Sequence, residues 1–178
     1  WYFFRNDIWR FPLGSNPNWG DEIGSSIVYA DAIPILTLIF KLFRSFLPES
    51  FQYISFWYFI CFYLQLFFSY KILKIFTNSI SYSLIGSIFF LTAPILLWKL
   101  QIVPALTGQW ILLLTLYLGL THKIEKSKLS WTLLIILSSL VNFYFMIMIV
   151  GTYSLLRILN LKLNKEHIFQ LIKDSFII

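Results

Sequence analysis

The chain has 178 residues, of which 58% are hydrophobic, 20% aromatic and 12% charged, too little polar surface to cover a soluble globule of this length. The net charge of +6 does not point to nucleic acid, because the lysines and arginines stand between apolar runs, where they set membrane orientation, and no basic groove interleaved with aromatics is visible. The single cysteine, Cys61, lies inside an apolar run, which excludes an intrachain disulfide and a thiolate metal site and argues against reactive thiol chemistry.

The front of the chain is the exception to this apolar character. Residues Trp1 to Pro34 hold Asp7, Asp21, Glu22 and Asp31 beside Arg5 and Arg10, a local charge of −2 against +8 for everything after them. A membrane bundle places ionisable groups cheaply only in a watery loop or polar cavity, so a site belongs here. Pro12, Gly14, Asn16, Pro17, Gly20 and Gly24 punctuate the stretch and predict a loop ordered by turns rather than by a long helix. The chain opens at Trp1 with neither an initiator Met nor a signal peptide and closes on FQLIKDSFII without a capping signal, so it reads as a piece of a longer protein.

Ile33 to Leu47 carries Thr37, Lys41 and Arg44 on one side and Leu36, Ile39, Phe40, Phe43 and Leu47 on the other, with Pro34 near its start and Pro48 after it. This predicts an amphipathic helix lying in the membrane interface. A spanning helix would carry Lys41 and Arg44 through its middle at about 3 kcal/mol each, whereas an interfacial helix leaves both heads in water.

The spans follow in order, each measured against the roughly 20 apolar residues that cross a bilayer. Phe51 to Ile75 is the first, Ser81 to Trp98 the second and Pro104 to Leu120 the third. The run from Lys128 to Leu161 is broken by Asn142 and reads as two short tilted helices, Leu129 to Val141 and Tyr144 to Leu159; the alternative is one long tilted helix with Asn142 buried. Lys71, Lys74 and the loop HKIEKSK (His122 to Lys128) are retained on the cytoplasmic side, which turns the N-terminal stretch and Asn142 outward. Cys61, Gln65 and Ser69 on the first span, and Ser79, Ser83 and Ser87 at the second, recur every four residues and mark the faces that pack. The division is therefore an outer polar loop (1–32), an interfacial helix (33–48), a transmembrane bundle (49–161) and a cytoplasmic segment (162–178). The fold class is all-α integral membrane with about five transmembrane helices.

Several residues are candidates for chemistry. Asp7 lies between Arg5 and Arg10, which predicts a local ion pair. Asp31 either caps the following helix or is poised as a general base or metal ligand. Trp1, Trp9 and Trp19 belong to an interfacial belt or stack on a sugar ring. Lys99, Gln101, Thr107 and Gln109 fall in an outward loop, where Lys99 either snorkels or contacts a phosphate. His122 and His167 are far from the acidic loop, and no HExxH, CxxC or Walker pattern is present.

The segments FFRNDIWRFPLG, NPNWG, GSSIVYADAIPI and FK, with PILLWKL, TGQWILL and the Asn142-Phe143-Tyr144 break further on, resemble the first outer loop and following spans of a bacterial branch of the GT-C superfamily. These are multi-spanning glycosyltransferases that use polyprenyl-phosphate sugars. The resemblance covers most of the chain and implies a first span upstream of Trp1, a large outer loop with surface helices, and a bundle. It also implies an early catalytic carboxylate, whose usual position lies upstream of Trp1; Asp7 and Asp31 are the acidic positions that remain. Where relatives carry a His-Pro-Tyr-like turn, this chain has Asn142.

The implied activity is transfer of a sugar from a lipid-phosphate carrier to an outer-face acceptor in the bacterial inner membrane. Asp7 or Asp31 is the base, Arg5, Arg10, Lys41 and Lys99 are the cations for the phosphate, and Trp9, Trp19, Gln109 and Asn142 are further substrate contacts. No cofactor is required by the pattern, although the superfamily admits a divalent metal. The partners are a lipid-linked sugar donor and membrane lipid, not nucleic acid. The competing reading is a non-enzymatic transporter or assembly subunit with an acidic docking loop; against transport, the span centres hold no ionisable group.

Overall fold

The computed structural model describes residues 1–19, 24–121 and 127–175, with side chains to Leu159. Asp21, Glu22 and most of the HKIEKSK loop lie outside the described residues. The chain is mostly helical, with a small ordered region ahead of a helix bundle.

The N-terminal stretch is more structured than turns alone. A short helix α1 (Tyr2–Asn6) precedes a two-stranded antiparallel ribbon, β1 (Ser15–Asn16) against β2 (Ser25–Ser26), which is the one departure from an all-α fold among the described residues. Gly14 and Gly24 adjoin the strands with φ of 97° and 69°, conformations open to glycine without a side-chain penalty.

Helix α2 (Pro34–Leu42) is continued by a 3₁₀ turn at Arg44–Phe46. Its nine residues are about 14 Å long at 1.5 Å each, roughly half of a hydrocarbon core, so α2 is too short to be a span. Its polar side does not lie in water as expected. Thr37 and Lys41 are 0% and 1% exposed, while Ile39, Leu42, Phe43 and Phe46 face outward. The N-terminal region covers the polar stripe because α1 and the residues after it pack on that face.

Three helical stretches are long and apolar enough to cross a membrane: Ile54–Phe76, Ile80–Ile102 and Pro104–Thr121. The first is a continuous helix, α3 (Ile54–Phe76). The second is divided into α4 (Ile80–Leu91) and α5 (Pro94–Ile102). Pro94 lacks an N–H and disfavours helical backbone at Ala93, whose ψ is 124°. The third opens with a 3₁₀ turn, Pro104–Thr107, and continues as α6 (Trp110–Thr121). Lys99 and Gln101 therefore sit in α5 rather than in the expected loop.

Two shorter apolar helices complete the bundle, α7 (Lys128–Val141) and the apolar part of α8 (Phe143–Ser175). They break at Asn142, as the two-helix reading expects. Asn142 has extended backbone (φ −161°, ψ 137°) and its Oδ1 accepts from Tyr144 N at 3.0 Å. Helix α8 does not stop near Leu159; its backbone runs on through the segment expected to lie beyond the bundle.

The bundle buries small hydroxyl side chains between α3 and α4 and turns large apolar ones outward. Ser69, Ser83 and Ser87 are 0% exposed, whereas Phe59 and Phe89 are 70% and 71% exposed. Helices α3 and α4 approach so closely that a Cβ on Gly86 would fall 2.7 Å from Leu73 Cδ1, and Thr77 Oγ1 and Ser83 Oγ bond at 2.8 Å. Small and hydroxyl-bearing residues at these positions allow the approach. Ser79 takes a different role, capping α4 by accepting from Tyr82 N at 3.4 Å. The main core joins Trp57, Cys61, Trp110, Trp131, Phe145 and Ile149 across α3, α6, α7 and α8.

Candidate functional site

One end of the bundle gathers the ends of three helices against the N-terminal region. Val28, Tyr29, Ala30 and Asp31 face Val103 after α5 and Asn142, Phe143 and Tyr144 at the α7–α8 break, around an open cleft of about 620 Å³. A second cleft of about 260 Å³ lies on the other flank of the same segment. Its walls include Trp1, Phe3, Asn16, Trp19, Gln52 and Tyr53, and Asp31 lines both clefts.

Asp31 does not cap α2. The residue before that helix is Ile33, which makes no side-chain cap and adopts left-handed backbone at φ 50°, an unfavourable state for a β-branched residue. Asp31 Oδ1 instead accepts from Ala105 N at 2.9 Å. It thus caps the 3₁₀ turn that opens the third stretch, where Pro104 supplies no N–H and Ala105 is the first donor. The other oxygen, Oδ2, is buried without a hydrogen-bond partner. Burial pushes the Asp31 carboxyl above its ordinary range, partly opposed by the Ala105 bond.

The backbone beside Asp31 is pinned by hydroxyls. Tyr53 OH and Thr37 Oγ1 both donate to the Ala32 carbonyl, lie 2.7 Å from each other, and Thr37 also reaches the Ile33 carbonyl at 3.2 Å. Desolvation raises the Tyr53 phenol to about 12, so it remains a donor at neutral pH. The strained turn and the carboxylate next to it are held by these two side chains.

Asp7 belongs to a separate cluster. Its carboxylate accepts from Ile8 N at 2.8 Å and lies 3.4 Å from Arg10 Nε, the expected ion pair. Lys41 Nζ sits 3.8 Å from the centre of the Phe4 ring and 4.7 Å from that of Trp9. Its burial lowers the amine pKa, offset in part by Asp7. Arg44 donates to the carbonyls of Arg5 and Asp7. Arg5 is spent on backbone, donating to the carbonyls of Arg44, Leu47, Pro48 and Glu49 at 2.6–3.2 Å.

Of the sequence candidates, Asp31, Trp19 and Asn142 therefore meet at the two clefts. Asp7, Arg5, Arg10, Trp9 and Lys41 form the other cluster, Lys99 lies 4.7 Å from the Trp98 ring, and Gln109 sits half-buried before α6. Among the described residues neither cleft is lined by a lysine or arginine. Among the described residues no three His, Cys, Asp or Glu side chains converge to hold a metal. Tyr53 and Asn16 were missed from sequence. Tyr53 looks like the start of an apolar span and Asn16 like one more turn residue; only Thr37, on the polar stripe, hinted at a partner in this region.

No curated protein and no solved structure matches the chain. The model of one family, described as a domain of unknown function (DUF6311), matches residues 1–172, and the chain belongs to that family.

Proposed function

We propose that this chain is the catalytic part of a membrane glycosyltransferase that moves a sugar from a polyprenyl-phosphate carrier to an acceptor at the outer membrane face. The observation that carries the reading is Asp31, a desolvated carboxylate with one oxygen held by Ala105 and the other unpartnered, set between two clefts. A carboxylate with a raised pKa is a better base than an exposed one. In the reaction it would take the proton of the acceptor hydroxyl as that oxygen bonds to the anomeric carbon. The carbon–oxygen bond to the carrier phosphate breaks, and its electron pair leaves on the phosphate.

Membrane residence is supported by the three long apolar stretches and by the outward phenylalanines. The larger cleft, bordered by Tyr29, Val103, Phe143 and Tyr144, suits the apolar carrier end of a lipid-linked donor. Arg5 and Lys41 are engaged within the protein and Arg10 is paired with Asp7, which leaves Lys99 on α5 as the candidate cation for the leaving phosphate. The test is incorporation of sugar into surface or lipid-linked glycan by cells carrying the wild-type full-length gene or Asp31→Asn at matched membrane levels. Loss of the product with Asp31→Asn supports the reading. A glycan profile that does not depend on the gene at all overturns it in favour of a docking or assembly subunit.

A further inference from the structure

The smaller cleft has features that the transfer reading does not by itself require. Trp1, Phe3, Trp19 and Tyr53 supply aromatic walls. Phe3 and Trp19 are tilted at 50° with centres 6.0 Å apart, and Trp1 meets Tyr53 edge-on at 5.2 Å. Trp19 remains 52% exposed, so its ring is accessible to a ligand. Asn16 is 5% exposed, yet its Oδ1 has no hydrogen-bond partner. Asp31 Oδ2 is the second unpartnered oxygen at this cleft.

Both orphan atoms are acceptors, and a buried acceptor left without a donor is costly. A ligand that draws these side chains toward the cleft satisfies them only if it brings hydroxyl or amine hydrogens. Aromatic walls call in addition for an apolar face. Among the described residues the lining holds no lysine or arginine, which disfavours a phosphate, with its acceptor oxygens and negative charge. At about 260 Å³ the space falls below the range of drug-sized sites, which suits one ring rather than an oligomer.

We infer that this cleft binds a single uncharged pyranose, gripped by its C–H face on Trp19 and by hydroxyls donating to Asn16 and Asp31. If the transferase reading holds, on which this role rests, the bound ring is the acceptor residue, with one hydroxyl presented to Asp31. Sugar binding itself does not depend on that reading.

The experiment is a titration of the full-length protein in lipid nanodiscs with the methyl glycosides of glucose, galactose, mannose and N-acetylglucosamine, followed by saturation-transfer NMR. Inorganic phosphate is added in parallel as a competitor. At least one glycoside should saturate, phosphate should not displace it, and Trp19→Ala and Asn16→Ala should each weaken binding about tenfold. Trp19 is exposed enough for its variant to fold, which unchanged thermal unfolding would verify. No saturation by any glycoside up to roughly 10 mM overturns the inference, as does binding that both variants leave intact. Glycoside binding without transfer activity keeps the sugar site and removes the transferase reading. Transfer whose acceptor KM is unmoved in both variants keeps that reading and removes this site.

Discussion

Replacing Asp31 by Asn and by Ala separates its two roles, because Asn retains an oxygen for Ala105 and Ala does not. The bond from Ala105 N is 2.9 Å long. A hydrogen bond to a charged acceptor contributes about 1.5–3 kcal/mol and a neutral one about 1 kcal/mol, so Asn gives up roughly 1 kcal/mol there. It recovers a similar amount by removing a partly desolvated charge, and its amide nitrogen occupies the place of an oxygen that already lacked a partner. The net change in stability should stay within about 1 kcal/mol. Asp31→Ala strands the Ala105 N–H and should cost about 1–3 kcal/mol. Catalysis should treat the two alike, because either change removes the base and with it about 10²–10⁴-fold in rate. Thermal unfolding in detergent and sugar transfer at matched membrane levels read the two effects separately. Equal stability of the Asn and Ala variants would refute the capping role, and wild-type transfer by Asp31→Asn would refute the catalytic one.

Tyr53→Phe should destabilise the protein by about 1–2 kcal/mol and lower transfer, since it removes a shared donor from the Ala32 carbonyl; denaturant unfolding with a parallel activity assay decides it. The Tyr53 phenol, raised to about 12, holds its proton more tightly when folded, so its contribution is complete below about pH 10 and lost as pH rises toward 12; a stability profile that is flat across that window contradicts it. Asp31, also raised, should give opposite trends over one window above the usual carboxylate value of about 3.9. Transfer rises as the carboxylate forms while its contribution to stability falls, and pH profiles of wild type and Asp31→Asn test this. Lys41→Glu should cost about 3 kcal/mol by burying a carboxylate against Phe4, Trp9 and Asp7, only partly offset by Arg44, seen as loss of folded protein in membranes. Cysteines at Asp21 and Lys126 should be labelled from opposite sides of the membrane; labelling of both from one side would reverse the topology.

Much of the bundle was legible because its signals are local. The serine spacing on α4 and the polar break at Asn142 act through packing periods and backbone geometry that a sequence displays directly, whereas the division at Pro94 falls inside what reads as one span, Ser81 to Trp98. The helical periodicity of Thr37, Lys41 and Arg44 was equally plain, but periodicity gives a face and not its partner. Water was the expected partner; the structure supplies Phe4, Trp9 and Tyr53 instead. The expectation that Asp31 caps the following helix failed for the same reason. Its position just before a helix suggested the adjacent amides, and nothing local indicates that Ala105 is its partner. Trp19 was singled out from residue type and Asn142 as the break in an apolar run, and their placement on either side of Asp31 depends on long-range closure of the chain.

That closure has an order. Trp1 and Arg5 are tied to residues between Arg44 and Phe51, all of them ahead of α3, so the front of the chain can knit together before the first long stretch is complete. The Asp31 carboxylate must wait for Ala105, which is 74 residues further along. Until the second stretch has been laid down and turned back, Asp31 remains an ordinary hydrated aspartate with no amide to hold it. On the proposed reading, the folding that brings Ala105 to the carboxylate also desolvates it, so a half-inserted chain would hold no competent base.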